Sequence, residues 1–223
     1  MPKRIPAVYE QIGWSPTRID AANYCRMRYW LKYCDPQKPE PLRLSAYAKG
    51  SLLHDLIQKF WIRLGTPEQV AKKSSKQKYF DAESFAKYAQ GRWKRTIISN
   101  KHSEHPIDWH YEGEQWVIAN TLPKICRPLF NFFIEEGPPI HTELPFDFVI
   151  DGKRFLGRID EVRKKDGKII VRDYKSGKPW MGEMKLHHDP QPTIYSMGLG
   201  AICYYDEKFA AALGIGLERK TFM

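Results

Sequence analysis

A mixed α/β chain, with a helical first half followed by a three-strand antiparallel meander, is what this 223-residue sequence predicts. Three observations carry that expectation. Apolar residues recur at helical spacing through SLLHDLIQKFWIRLG. The run Gly137-Pro138-Pro139 breaks the helical part. Two Asp-Gly pairs, Asp151-Gly152 and Asp166-Gly167, sit between β-branched and aromatic residues, the signature of two-residue hairpin turns.

In WSPTRIDAANYCRMRYWLKYCDP, Ser15 suits a helix cap and Pro16 its first position. That helix carries Arg18, Arg26, Arg28 and Lys32 among Tyr24, Tyr29, Trp30 and Tyr33. Cations interleaved with aromatics suit phosphate contact and base stacking, and the same spacing suits a core-facing helix. The second helix places Leu53, Leu56, Ile57, Phe60, Trp61 and Leu64 on one face, with His54 at the border of that stripe. Alone, His54 reads more often as a satisfied boundary histidine than as a ligand. Thr66 to Lys78 is polar and lysine-rich, a surface loop or mobile arm. From about Asp81 to Glu136 the chain reads as helical, with Trp93, Trp116, Phe130, Phe132 and Phe133 as its apolar surface.

Counting outward from the two turns sets the strand register. Ile150 faces Lys153, Lys165 faces Lys168 and Val162 faces Val171; Glu143 then lies opposite Asp160, and Asp160 opposite Asp173. Three carboxylates in a row repel one another unless something positive sits between them. Lys175 shares the face of Asp173, while Tyr174 points the other way. Two readings remain open on the residues alone: a site for a hard divalent cation, or a solvent-facing ladder satisfied by Arg158 and Arg172.

Composition sets the surroundings. A hydrophobic content of 42% is that of a folded chain, and the net charge of +10 favours polyanionic partners, general solubility charge being the other reading. No window approaches the ~18 apolar residues of a membrane span, and MPKRIPAVYE lacks a signal-type apolar run, so a cytoplasmic protein is expected. Cys25, Cys34, Cys126 and Cys203 form no C-x-x-C pair and read as reduced structural thiols. Neither a fixed-period repeat nor a Walker-type G-x-x-x-x-G-K-[ST] is present, so ATP-driven motion would need a helicase or another protein subunit.

GRID followed by an apolar strand ending in DYK resembles the core of the PD-(D/E)XK nuclease superfamily, in its RecB-type branch, alongside CRISPR adaptation nucleases and helicase-associated nuclease domains. Further stretches match in order. SPTRIDAANYCRMRYWLKY resembles the S-x-x-R/L helix and C-x-R-x-Y/F segment, GSLLHDLIQKF the G-x-x-x-H helix, and QPTIY the Q-x-x-x-Y helix. The resemblance implies a restriction-endonuclease-like fold, with a central mixed sheet containing the meander and helices flanking it. It also implies a single nuclease domain over 1–223, in which 1–137 forms a helical part and DNA channel, and 138–223 the catalytic sheet and Q-x-x-x-Y helix.

By the same resemblance, Asp160, Asp173 and Lys175 are the catalytic set. One or two Mg²⁺ or Mn²⁺ ions are held by His54, Asp160, Asp173 and the Tyr174 backbone carbonyl, with Glu143 as a further acid. Gln191 and Tyr195, four apart on one helix face, hold Lys175 or a phosphate in place; the plain readings are a polar helix-start residue and a core aromatic. Arg18, Arg26, Arg28, Arg158 and Lys178 are the expected DNA contacts, and His187 and His188 are read as surface or substrate-contacting residues outside the metal site. Only Cys203 follows the Q-x-x-x-Y segment, so no iron-sulfur cluster is expected, and GLERKTFM reads as one more strand. The expected activity is a metal-dependent DNA exonuclease on single strands or free ends, in repair, recombination, phage DNA processing or CRISPR adaptation. The alternatives are a non-catalytic DNA-binding scaffold on the same fold and a structure-specific endonuclease.

Overall fold

The structure is a computed structural model that describes residues 13–37, 43–64, 81–176 and 189–215. The loop read over Thr66 to Lys78, Lys178, His187, His188 and the strand read in GLERKTFM lie outside the described residues. Among those described, no helix is long and apolar enough to cross a membrane. The chain divides into two compact units: the meander together with the N-terminal helices and the last two helices, and a helical unit built from residues 40–138 and 174–178.

In the sheet unit, α1 (Pro16–Tyr24) and α2 (Arg26–Tyr29) are separated at Cys25, whose backbone is extended, and α2 runs into a π-helical turn over Trp30–Cys34. The single helix expected here is therefore broken at Cys25, whose φ of −162° and ψ of 120° are not helical. Ser15 does occupy the cap position, but its hydroxyl pairs with Thr17 instead of a backbone N–H.

The meander follows as β3 (His141–Ile150), β4 (Lys153–Lys165) and β5 (Lys168–Arg172), in the order β3-β4-β5. Its register matches the count: Ile150 pairs with Lys153, Lys165 with Lys168 and Val162 with Val171. Both turns place Asp and Gly in the left-handed region, with φ of 50° and 71° at Asp151-Gly152 and 52° and 72° at Asp166-Gly167, the twist that matches the flanking strands.

Packed on this sheet are α6 (Pro190–Tyr205) and α7 (Glu207–Leu213), capped by Asp189 and Asp206. Leu144, Phe146, Phe148, Ile159 and Val162 meet Ile194, Tyr195, Leu199 and Leu213 in one core, each large apolar side chain contributing roughly 1.5–3 kcal/mol. Phe146 is the hinge of that contact. A Cβ at Gly157 would stand 2.5 Å from the ring's Cζ, and one at Gly198 would stand 2.7 Å from Cγ, so two missing side chains let α6 lie against the sheet. We expect Gly198→Val to lower stability by about 1–3 kcal/mol, since the close-packed ring has to shift. Urea unfolding with an unchanged slope checks it.

In the helical unit, α3 (Ser45–Leu64), α4 (Ala82–Asn100) and α5 (Glu114–Glu136) pack around Phe60, Phe85, Trp93, Phe130 and Phe133. The short strands β1 (Arg43–Leu44) and β2 (Ile107–Asp108) pair in parallel beside them. Leu53, Leu56, Ile57 and Phe60 form the buried stripe of α3, and the side chain of Leu64 lies outside the described set. The stretch read as helical from Asp81 to Glu136 is two helices with a strand between them, and Trp116 and Phe132 face solvent, because the three-helix core is already filled by Trp93, Phe130 and Phe133.

Candidate functional site

Asp173 is the first residue beyond β5, where the chain has left the strand ladder. Its Oδ1 accepts from the Gln191 amide Nε2 at 2.9 Å and from the Tyr195 hydroxyl at 3.4 Å, and the same Gln191 nitrogen lies 2.6 Å from the Tyr195 oxygen. Gln191 and Tyr195 reach it together because they are one helical turn apart on α6, which Phe146 seats on the sheet. Burial pushes the Tyr195 phenol well above its ordinary range. The Gln191 hydrogen bond opposes that shift, while the nearby charges of Asp173 and Asp160 add to it. Tyr195 thus stays protonated at neutral pH and acts as a donor. Gln191 is a polar residue in the first turn of α6 and Tyr195 a buried core aromatic, as their plain readings have it, and both side chains also reach Asp173.

Asp160 is 7% exposed, on β4. Ile159 and Val162 both enter the same core although they are three apart, so the strand's alternation breaks once between them. Across from this break, Glu143 has φ of 53° and the β3–β4 ladder skips the Glu143–Asp160 step, while Thr142 with Glu161 and Leu144 with Ile159 keep the count on either side. A left-handed glutamate costs on the order of 1–3 kcal/mol, and such strain gathers at functional positions. The expected direct pairing of Glu143 with Asp160 is therefore corrected: the count holds and the ladder pair is interrupted. Likewise β5 ends at Arg172, so Asp160 and Asp173 are not ladder partners.

The two arginines offered for a charge ladder have separate partners. Arg158 is exposed and lies 3.4 Å from Glu143, whereas Arg172 bonds Glu161 at 3.2 Å. Glu161 was missed in the sequence. It is 0% exposed, and its Oε1 also accepts from Arg163 Nε at 2.5 Å, with Arg163 2% exposed. The signal was available, since the count that sets Asp160 against Asp173 sets Glu161 against Arg172.

Within the helical unit, His54 is half-buried on α3, flanked by Asp55, which binds Arg92 at 2.7 Å and also pairs with Lys59. One turn earlier, a Cβ at Gly50 would lie 3.3 Å from Ser176 Oγ, so the segment following Asp173 runs alongside α3 close to His54. On that segment Tyr174 packs edge-on against Phe133, their centroids 6.1 Å apart, and Lys175 is exposed. Of the residues read as DNA contacts, Arg26 and Arg28 are exposed on α2, while Arg18 bonds the Gly13 carbonyl at 2.6 Å and lies over the Tyr33 ring.

Within the sheet unit, the carboxylates of Glu143 and Asp160 are oxygen donors, chemistry that suits a hard divalent ion. Residues 13–218 match the family model described as the PD-(D/E)XK nuclease superfamily. Neither the curated proteins nor the solved structures give a match.

Proposed function

Because the chain belongs to the PD-(D/E)XK nuclease superfamily and its fold is consistent with a restriction-endonuclease-like core, we propose that it is a Mg²⁺- or Mn²⁺-dependent exonuclease of the RecB-type branch, acting on single-stranded DNA or free DNA ends. The observation that carries this reading is the clamp on Asp173: a carboxylate at a strand end, oriented by Gln191 and Tyr195, in the same unit as the buried Asp160.

In this reading Asp160 and Asp173 hold the ion, with His54, the Tyr174 carbonyl and Glu143 completing its surroundings. A bound divalent ion supplies Lewis-acid polarisation of the phosphate and a more acidic water. Gln191 and Tyr195 fix the Asp173 carboxylate in one rotamer, so no reorganisation is needed when substrate arrives. Lys175, a compact cation on an exposed side chain, orients the attacking water or neutralises charge growing on the phosphoryl oxygens. The left-handed Glu143 supports the same location, because a strained carboxylate beside Asp160 has no evident packing purpose.

Tyr195→Phe keeps the ring against Phe146 and removes only the hydroxyl. We expect activity or metal affinity to fall about 10- to 100-fold, the usual scale for a residue that orients a ligand, with little change in stability. Titration of the rate with Mn²⁺ checks it.

The reading is tested with end-labelled linear and covalently closed single-stranded DNA in Mg²⁺, Mn²⁺ or EDTA. Shortening of the linear strand alone, abolished by EDTA, is the expected result. Cutting of the closed circle makes the protein an endonuclease, and binding without cleavage in either metal makes it a scaffold.

A further inference from the structure

On the sheet unit, Tyr24 to Lys32 presents a face that the metal site does not use. Its sequence, YCRMRYWLK, carries three cations and no acid. Tyr24 is 77% exposed, and Arg26, Met27, Arg28, Leu31 and Lys32 are exposed with it. Tyr24, Met27 and Leu31 are thus three large apolar side chains left exposed along one short segment that spans the break at Cys25. The Arg28 guanidinium lies 5.2 Å from the Tyr24 ring centroid and Lys32 Nζ lies 5.2 Å from the Tyr33 ring, so the cations are laid over aromatic faces and not over carboxylates. Among the described residues, Arg26 and Arg28 have no ion-pair partner. The segment is also fixed in place. Tyr29 stacks on Trp14, and Trp14 is hydrogen-bonded to both sides of Phe155 on β4, through the Arg154 carbonyl at 2.7 Å and the Leu156 N–H at 2.9 Å.

We propose that this face is a stacking platform for an unpaired nucleic-acid strand, with a base on Tyr24 and phosphates on Arg26, Arg28 and Lys32. The inference rests on the nuclease reading above and adds where the strand is held. Charge selects the occupant: a polyanion answers three cations without an ion-pair partner among the described residues, and only an unpaired strand also offers flat apolar faces to the aromatic surface. A duplex hides its bases and would use the cations alone.

Cys25 lies in the chain between Tyr24 and Arg26 and is exposed, while Cys34, Cys126 and Cys203 are buried, so it serves as the probe. The experiment follows alkylation of Cys25 in EDTA, with and without a 20-nucleotide oligothymidine or a hairpin duplex of the same nucleotide count. Anisotropy of the labelled oligonucleotide is read in parallel for the natural chain, Tyr24→Ala and Arg28→Gln.

The expected result is protection of Cys25 by the single strand and not by the hairpin. Tyr24→Ala should weaken binding by roughly five- to a hundredfold, the range for losing one stacked base. Arg28→Gln should lower the salt slope by about 0.7, the value for one phosphate contact on a single strand. Equal protection by the hairpin, or binding by Tyr24→Ala equal to that of the natural chain, overturns the platform. Protection that grows with protein concentration in the absence of oligonucleotide assigns the face to a second copy and also overturns it. If the strand protects Cys25 but is not cut when Mn²⁺ is added, the nuclease reading fails and the platform stands; if the strand is cut while Cys25 alkylates unhindered, the reverse holds.

Discussion

Asp173→Asn is expected to give a folded protein whose activity is lower by at least about a hundredfold. The two hydrogen bonds at Asp173 Oδ1 come from Gln191 and Tyr195, both acting as donors, and an asparagine amide oxygen accepts them in the same position. The substitution therefore removes the negative charge and leaves the clamp. If that charge holds a divalent ion whose stabilisation of the transition state is worth several kcal/mol, each 1.36 kcal/mol lost costs tenfold in rate. Asp173→Ala is the less informative change. It removes the acceptor shared by the Gln191 amide and a buried tyrosine hydroxyl, a loss on the order of 1–3 kcal/mol, and so mixes a folding defect with a chemical one. Steady-state kinetics over a Mn²⁺ series give the answer. A loss that high Mn²⁺ partly restores places Asp173 in ion binding, while a variant that cuts like the natural chain removes Asp173 from the site.

Much of this geometry was legible from local rules. The two Asp-Gly pairs set turn type and register together, because a two-residue loop with both centres left-handed leaves a single way to count outward. The i, i+4 spacing of Gln191 and Tyr195 already placed them on one helix face, and the stripe of Leu53, Leu56, Ile57 and Phe60 needed only the helical period. The features that escaped depend on contacts between distant residues. Nothing in TEL marks Glu143 as left-handed, since glutamate carries no turn signal, and the break in alternation between Ile159 and Val162 follows from what packs on β4. The role of Gly157 and Gly198 exists only once Phe146 lies between them. The interruption at Cys25 was hidden for a different reason: no proline or glycine announces it. Trp116 and Phe132 share one apolar surface with Trp93, Phe130 and Phe133 by hydrophobicity alone, and only the filled three-helix interior leaves these two exposed.

Glu161 supplies the second large effect. Its carboxylate is fully buried and pairs with both Arg163, 2% exposed, and Arg172, 22% exposed on its side chain. Glu161→Met is expected to lower stability by about 3–5 kcal/mol, because it leaves the Arg163 guanidinium buried without its carboxylate. Adding Arg163→Met should restore most of that loss: the two apolar side chains fill similar volume, and Arg172 retains partial access to solvent. The pair is thus predicted to be worth little as a pair and much as protection against its own half. Urea unfolding of the two single variants and the double completes the cycle, and the coupling energy is the quantity that decides. Near-additive losses would mean that packing, and not charge compensation, is what Glu161 provides. Strong coupling would mean that the ion pair fixes β4 against β5 in register immediately behind Asp160 and Asp173, which makes the charge pattern of EVR as much a condition of the site as the acids beside it.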